Sequence, residues 1–323
     1  MLNRGTLIYI AQRVVLIAFT VMVVSFGVFV VVHSLPGNAF ISDRLHGKAL
    51  QLLLHQYGLD QPVVIQYWNW LKGAIHGDLG ISLVTRGAPI TPIVLKELSV
   101  SAMVGGAALL VTIGLGVTFG VIAAIRQNTW VDYTLTTFAV IGYSVPSFVI
   151  ASLGILIFAN WLNNVSNGAF YYPLPWQGTY GGGGLSTLIS LSLPAISIGL
   201  YTSGQVTRIT RASMLEVIQQ DYIRTARAKG LKSRRVTVRH ALRNALVPVM
   251  SIMPSTVLGI LTGVVVIENI FTIPGLGKEF VTSITQQDYN LTVGVFTIYA
   301  VLIGFANLIV DLLYAVVDPR IRY

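Results

Sequence analysis

Apolar runs of the length needed to cross a hydrocarbon layer, about 20 helical residues for about 30 Å, recur six times along the chain. They fall at about 13–33, 100–125, 134–159, 185–205, 246–267 and 291–317, and each predicts a membrane-spanning helix. The first follows Arg4 and Arg13 in the manner of a signal peptide, but its apolar run is longer than an h-region and no small-residue cleavage site precedes His33. It is read as a retained helix. The expected fold class is an all-α integral membrane protein with six transmembrane helices. Its organisation is a tail over 1–12, the first span at 13–33, an external region over 34–99, and a core over 100–323. That core carries spans two to six and a polar loop at 206–245.

Glycine and proline punctuate the spans. Gly105, Gly106, Gly114, Gly116 and Gly120 crowd the second, and Gly116-x-x-x-Gly120 marks a face for close helix packing. In the third, Gly142-Tyr143-Ser144-Val145-Pro146-Ser147 loses a backbone hydrogen bond at Pro146, which predicts a kink. Kinks suit a gated path and also occur in static bundles; Tyr143, Ser144, Pro146 and Ser147 are the candidates here. Pro194 and Gly199 interrupt the fourth span similarly, and Pro254, Gly259 and Gly263 soften the fifth. The stretch from Glu268 to Gly277 reads as an external run of turns. Asn307 and Asp311 lie in the sixth span, where an acid is costly enough to mark a site. Glu268, Asn307 and Asp311 therefore join the path candidates, although a salt bridge near the membrane face would account equally for Asp311.

Between the first two spans, His33-Ser34-Leu35-Pro36-Gly37-Asn38 ends a helix, and Leu50, Leu53, Leu54 and Tyr57 repeat at helical spacing. Gly58-Leu59-Asp60-Gln61-Pro62 and Gly77-Asp78-Leu79-Gly80 are turn signals on either side of Tyr67, Trp68 and Trp70. Trp68 and Trp70 suit an interfacial aromatic belt; a small external cap for a delivery protein is the other reading. A second external loop carries Tyr171, Tyr172, Pro173, Trp176 and Gly181 to Gly184.

The most polar stretch is Asp221 to Pro248. Asp221 can cap a short helix through Tyr222, Ile223, Arg224, Thr225, Ala226, Arg227 and Ala228 to Lys229, with Gly230 free to take the left-handed conformation that ends it. Thr225, Ala226 and Ala228 are small enough for another backbone to come close, and Arg224, Arg227 and Lys229 add charge. The segment has the makings of a plug for a partner's socket.

Of 323 residues, 54% are hydrophobic and 10% charged, far from the charge content of a water-soluble domain. With the N-terminus placed in the cytoplasm, fifteen of the 21 Lys and Arg residues fall on the cytoplasmic side, ten of them in 206–245. The positive-inside bias therefore predicts both termini in the cytoplasm. This topology accounts for the net charge of +9 without nucleic acid. Cysteine is absent, and His33, His46, His55, His76 and His240 never reach metal-ligand spacing on one helix. No phosphate-binding G-x-x-x-x-G-K-[ST] loop occurs; Gly275-Leu276-Gly277-Lys278-Glu279 is a superficial echo on the external side. HExxH, paired membrane aspartates and a Ser/His nucleophile pair are also missing, which leaves a membrane enzyme little chemistry to use. A channel or structural membrane protein stays open as an alternative.

Arg224-Thr225-Ala226-Arg227-Ala228-Lys229-Gly230, followed by Arg239-His240-Ala241-Leu242-Arg243-Asn244-Ala245 and Leu246-Val247-Pro248, resembles the cytoplasmic loop of permease subunits in bacterial ATP-binding-cassette importers. Arg224 stands where the superfamily's E-A-A-x-x-x-G signature has Glu, and Thr225 replaces its first Ala. Both features resemble the dipeptide, oligopeptide and nickel permease branch. So do Leu35-Pro36-Gly37, the two turn motifs around Tyr67 to Trp70, Glu268 to Gly277, and Asn307 to Tyr314 with Pro319-Arg320-Ile321-Arg322. Asn38 departs from the family's usual Asp and is assigned no role.

The resemblance implies the type I importer permease architecture in a bacterial cell membrane. It further implies a second permease subunit, two ATPase subunits that hold ATP and Mg, and an external substrate-binding protein. The chain itself would bind no cofactor. Asp221, Tyr222, Arg224, Thr225, Ala226, Arg227, Ala228, Lys229, Gly230 and Leu231 would couple it to the ATPases. Di- or oligopeptides are the expected cargo, since the spans carry many Ser, Thr and Asn and almost no His; nickel by the same mechanism is the alternative.

Overall fold

In the computed structural model, residues 4–34, 51–52, 54–55, 58–85, 87–169, 172, 174 and 185–317 are described. Leu35 to Asn38, Leu50, Leu53, Tyr57, Tyr171, Pro173, Trp176, Gly181 to Gly184 and Asp318 to Arg322 lie outside them. Ten helices account for almost all of the described chain: α1 Arg4–Ser34, α2 Val63–Ile75, α3 Ile90–Ile125, α4 Trp130–Ser144, α5 Ser147–Val165, α6 Leu185–Ile218, α7 Asp221–Ala228, α8 Ser233–Ile270, α9 Leu276–Thr285 and α10 Tyr289–Val317. Among the described residues, extended pairing is limited to an isolated bridge between Ile81 and Pro89. Six helices, α1, α3, α5, α6, α8 and α10, are long and apolar enough to cross a membrane.

The chain divides into two compact units, 1–101 with 274–308 and 323, and 102–273 with 309–322. In the first, Phe29, Tyr67, Trp70, Leu79, Ile90, Val94, Leu276, Leu291, Val293 and Val295 form one apolar core. Trp70 lies inside it and donates its indole N–H to the Leu79 carbonyl at 3.1 Å. It is a core residue rather than part of an aromatic belt, while Trp68, on the opposite side of α2, is exposed. Asp288 is the polar counterpart. Buried at the start of α10, it accepts from Leu291 N–H at 3.3 Å as a helix cap does, and it also accepts from the Ser82 hydroxyl and from Leu83 N–H at 3.3 Å. One carboxylate thus ties the loop after Gly80 to the head of a spanning helix. The stretch expected as turns, Glu268 to Gly277, instead begins in the last turn of α8 and ends in the first turn of α9, whose start is fixed by the Ser101 hydroxyl accepting from Leu276 N–H at 2.8 Å.

In the second unit α6 is central, and its approach to α3 and α4 is closer than side chains ordinarily permit. A Cβ at Gly116 of α3 would sit 2.6 Å from Val206 Cβ, one at Gly120 2.5 Å from Thr210 Cβ, and one at Gly199 of α6 2.5 Å from Val111 Cγ1. Glycine on one helix receives the branched side chain of the other, as membrane interfaces require where lipid supplies no hydrophobic drive. The Thr112 and Thr202 hydroxyls bond across the same seam at 2.5 Å. Gly199 therefore serves packing and does not interrupt α6.

Nor does Pro194, which lies inside α6. Proline deprives the Ser190 carbonyl of its helical donor, and the Tyr172 hydroxyl supplies the replacement at 2.8 Å while accepting from Leu193 N–H at 3.3 Å. At Pro146 the outcome differs. Val145 is extended and Pro146 begins a new helix, so the expected kinked span is two helices, α4 and α5. Val145 N–H still bonds the Ile141 carbonyl at 3.1 Å, but among the described residues no hydroxyl meets the Gly142 carbonyl that Pro146 leaves without its donor, and the pre-proline residue is pushed out of the helical region.

Gly116→Leu should overpack the α3–α6 seam and cost about 1–3 kcal/mol, seen as a lower melting temperature of the purified complex. Gly106→Ala, where a Cβ meets nothing within 4 Å, should leave that temperature unchanged or slightly raised. Equal effects from both would contradict the packing account.

Candidate functional site

The short polar helix forms as its sequence predicts, with one change at its start. Gln220 is the extended residue before α7 and Asp221 is its first helical residue, making no side-chain cap. Asp221 still favours the helix by placing negative charge at its N-terminus. Its contact with Arg224, 3.7 Å between two well-exposed side chains, adds little. The other end is closed firmly. Gly230 has φ +75°, Gly230 N–H bonds the Arg227 carbonyl at 2.9 Å, and Leu231 N–H reaches back to the Ala226 carbonyl at 3.4 Å. This is the paired bonding of a Schellman motif, in which a left-handed residue follows the helix.

Ile223 and Ala226, three residues apart, point inward. They join Ala124, Met214, Val236, Ala241 and Ala245 in a second apolar core, with Leu231 packed beside it. Ala226 consequently faces the chain's own core, contrary to its expected place on the contact surface. The outward face consists of Tyr222, Arg224, Thr225, Arg227, Ala228 and Lys229, all exposed. The Tyr222 hydroxyl accepts from the Asn244 amide at 2.7 Å, which ties this face to α8. Two residues separate α7 from the end of α6, and four separate it from the start of α8. A push on α7 is therefore delivered to two spanning helices. The surroundings are basic: Lys232, Arg234, Arg235, Arg239 and Arg243 are exposed as well.

A second polar feature was hidden in the sequence. Asp132, in the first turn of α4, is buried and receives two bonds from Arg211 of α6, Nε to Oδ1 and Nη2 to Oδ2, both 2.7 Å. Asn128 N–H adds a third donor at 3.0 Å, and the Thr136 hydroxyl a weaker fourth at 3.3 Å. The Arg211 guanidinium, before the other effects, holds the Asp132 carboxyl down at about 2. In the sequence Arg211 is one of ten basic residues in its loop and Asp132 a helix-start acid; 79 positions separate them, and no spacing rule pairs them.

Of the path candidates, Tyr143, Ser144, Pro146 and Ser147 come together at the α4–α5 break. Tyr143 stacks on Tyr201 with ring centres 5.5 Å apart, and the Ser144 hydroxyl turns back to the Val140 carbonyl at 2.7 Å. Glu268, in the last turn of α8, is fully buried and presents no surface in this chain. Asn307 and Asp311 lie one turn apart on α10, the first exposed and the second half-buried.

Long apolar helices joined by an exposed basic helix define a multi-pass membrane protein. The chain belongs to the family of binding-protein-dependent transport system inner membrane components, whose profile matches residues 116–323; the profile for the N-terminal part of such membrane components matches residues 6–96. It is 40% identical over 289 residues to the oligopeptide transport system permease protein OppB of Salmonella typhimurium, covering 89% of this chain and 90% of that protein. Against the dipeptide transport system permease protein DppB of Bacillus subtilis the identity is 37% over 315 residues, covering 97% of both. The oligopeptide transport system permease protein AppB of Bacillus subtilis is 34% identical over 328 residues, covering 98% of this chain and 99% of that protein.

Asp132→Asn should destabilise the protein by about 3 kcal/mol, the low end for breaking a buried pair, because the Arg211 side chain keeps 28% exposure. A carboxyl whose folded value is depressed stabilises fully above its ordinary value near 4 and loses that contribution as pH falls toward 2. The melting-temperature gap between wild type and Asp132→Asn should therefore be constant from pH 5 to 8 and narrow below about pH 4. A gap that widens on acidification would refute the pairing.

Proposed function

We propose that this chain is one of two permease subunits that together form the path of an ATP-driven peptide importer in a bacterial cell membrane, with both its termini in the cytoplasm. The observation that carries the proposal is α7: an exposed basic helix, fixed to the chain's own core by Ile223 and Ala226, capped by Gly230 and joined to two spanning helices. Such a helix suits the groove of an ATPase subunit, with Tyr222, Arg224, Thr225, Arg227, Ala228 and Lys229 facing it. Asp221 and Leu231 hold its two ends.

The chain performs no ATP chemistry in this mechanism; two ATPase subunits bind ATP and Mg. Closure of the ATPase pair displaces α7, and the movement passes to α6 and α8. Because α3, α4 and α6 interlock at glycines, and Arg211 grips Asp132, α4 moves with α6. The break at Val145–Pro146 lets α5 respond separately. ATP can shift the membrane equilibrium only through contacts at α7 that differ between the two states. A binding protein delivers the cargo from outside. Peptides are the proposed cargo on the strength of relatives named for oligopeptide and dipeptide transport. Tyr143, Ser144, Pro146 and Ser147 are the proposed path or gate residues of this chain.

The test is uptake of labelled di- to pentapeptides, and separately of labelled nickel, by cells lacking the gene, with and without the restored chain. Peptide uptake should return with the wild type. Gly230→Arg should assemble, since a Cβ there meets nothing within 4 Å and the left-handed backbone costs about 1–2 kcal/mol. It should nevertheless lose at least nine-tenths of uptake while the ATPase keeps turning over. Normal uptake by Gly230→Arg would remove α7 from the coupling role, and restored nickel uptake without peptide uptake would replace the cargo.

A further inference from the structure

The exposed side of α2 divides into two flanks of opposite character. Val64, Trp68 and Ile75, at positions i, i+4 and i+11, share one flank and are 65%, 56% and 74% exposed. Asn69 and His76, exposed, share the other with the half-buried Gln66, whose amide donates to the Leu59 and Gln61 carbonyls; Ile65, 47% exposed, lies between the flanks beside Lys72. Between these flanks, on the inward side, Tyr67 and Trp70 are buried. Lys72 lies at the margin, its ammonium 5.5 Å from the centre of the Trp68 ring.

The depth of this helix is set by α1. The Tyr67 hydroxyl lies 2.9 Å from the Ser25 hydroxyl and donates to the Met22 carbonyl at 3.1 Å. The candidate span of α1, Ile8–Ser34 with Arg13 inside it, has 27 residues, at most about 40 Å at 1.5 Å per residue, against a hydrocarbon layer of about 30 Å. Even if the whole excess of about 10 Å emerged beyond Ser34's end of the layer, Ser25, about 14 Å back along the helix, would still lie within the hydrocarbon. Tyr67 therefore reaches down into the membrane, and α2 sits no more than one side-chain length above that level. A second contact fixes α2 against α1: Phe26, 40% exposed, meets the buried Tyr67 ring edge-on at 5.0 Å.

We infer that α2 is an interfacial helix. It lies in the headgroup layer of the leaflet at the C-terminal end of α1, with Val64, Trp68 and Ile75 among the acyl chains, Lys72 reaching up to the lipid phosphates, and Gln66, Asn69 and His76 in water. Apolar burial of this kind, with a lysine at the margin and a tryptophan at the boundary, is how amphipathic helices hold the plane of a bilayer. The occupant of the apolar flank is thus lipid.

The chain contains no cysteine, so each variant, labelled before assembly with its partners, carries the label at one site of this chain. Val64→Cys, Trp68→Cys, Ile75→Cys and Asn69→Cys would each carry a nitroxide, in the full importer reconstituted into phosphatidylethanolamine–phosphatidylglycerol vesicles. Collision rates with oxygen and with a water-soluble nickel chelate report depth. Labels at 64, 68 and 75 should collide at least five times more with oxygen than with the chelate, while the label at 69 should show the reverse. Chelate access at 64, 68 and 75 equal to that at 69 overturns the inference. So does loss of chelate access at 64, 68 and 75 only when the substrate-binding protein is added, which would make the flank a protein-docking surface. Because depth is read without transport, the outcome does not depend on the cargo or on the coupling role of α7. Should Trp68→Cys fail to assemble, the Val64 and Ile75 sites decide the matter.

Discussion

The second unit depends on the distance of approach between α6 and its neighbours. Gly116, Gly120 and Gly199 have no side chain where Val206, Thr210 and Val111 need room, and van der Waals contact is what membrane helices have to gain from one another. Close approach then brings polar groups within reach, so that Thr112 meets Thr202 and, farther along, Arg211 meets Asp132. Rigidity follows from this interlocking. Such an interlocked seam resists sliding of α6 along its neighbours.

Proline has two opposite outcomes in this chain, decided by what satisfies the carbonyl it frees. Beside Pro194, the Tyr172 hydroxyl fills the gap and α6 runs on unbroken through the seam. At Val145–Pro146 no such hydroxyl is found among the described residues, and the backbone leaves the helical region between α4 and α5. One span is held stiff and the other jointed, a division that suits a device in which α4 follows α6 while α5 is free to turn.

In the first unit, two side chains do the organising. Trp70 joins α2 to the loop at Leu79, and Asp288 joins the next part of that loop to the head of α10. Burying a carboxylate is costly unless its lone pairs are met, and here backbone N–H groups and a hydroxyl meet them. Tyr67 adds a polar bond to α1, so a connecting segment becomes a packed layer of the protein.

Hydropathy by itself determined that the chain crosses a membrane six times, because a 20-residue apolar run has no other stable solution in lipid. Local sequence also determined α7, because a left-handed glycine closing a short helix is an interaction between near neighbours, although the cap expected of Asp221 does not form. Gly116-x-x-x-Gly120 was legible as a packing face for the same reason. Tertiary structure alone decided which residues those faces meet. Ala226 turned inward because Met214 and Ala245 wait there; Trp70 became core while Trp68, two residues away, stayed outside. Asp132 found Arg211 across 79 positions, and Pro194 was healed by a tyrosine from a preceding loop. Each of these depends on a contact between segments distant in sequence, and periodicity, which reports only the face a residue occupies, carries no information about what will be packed against it.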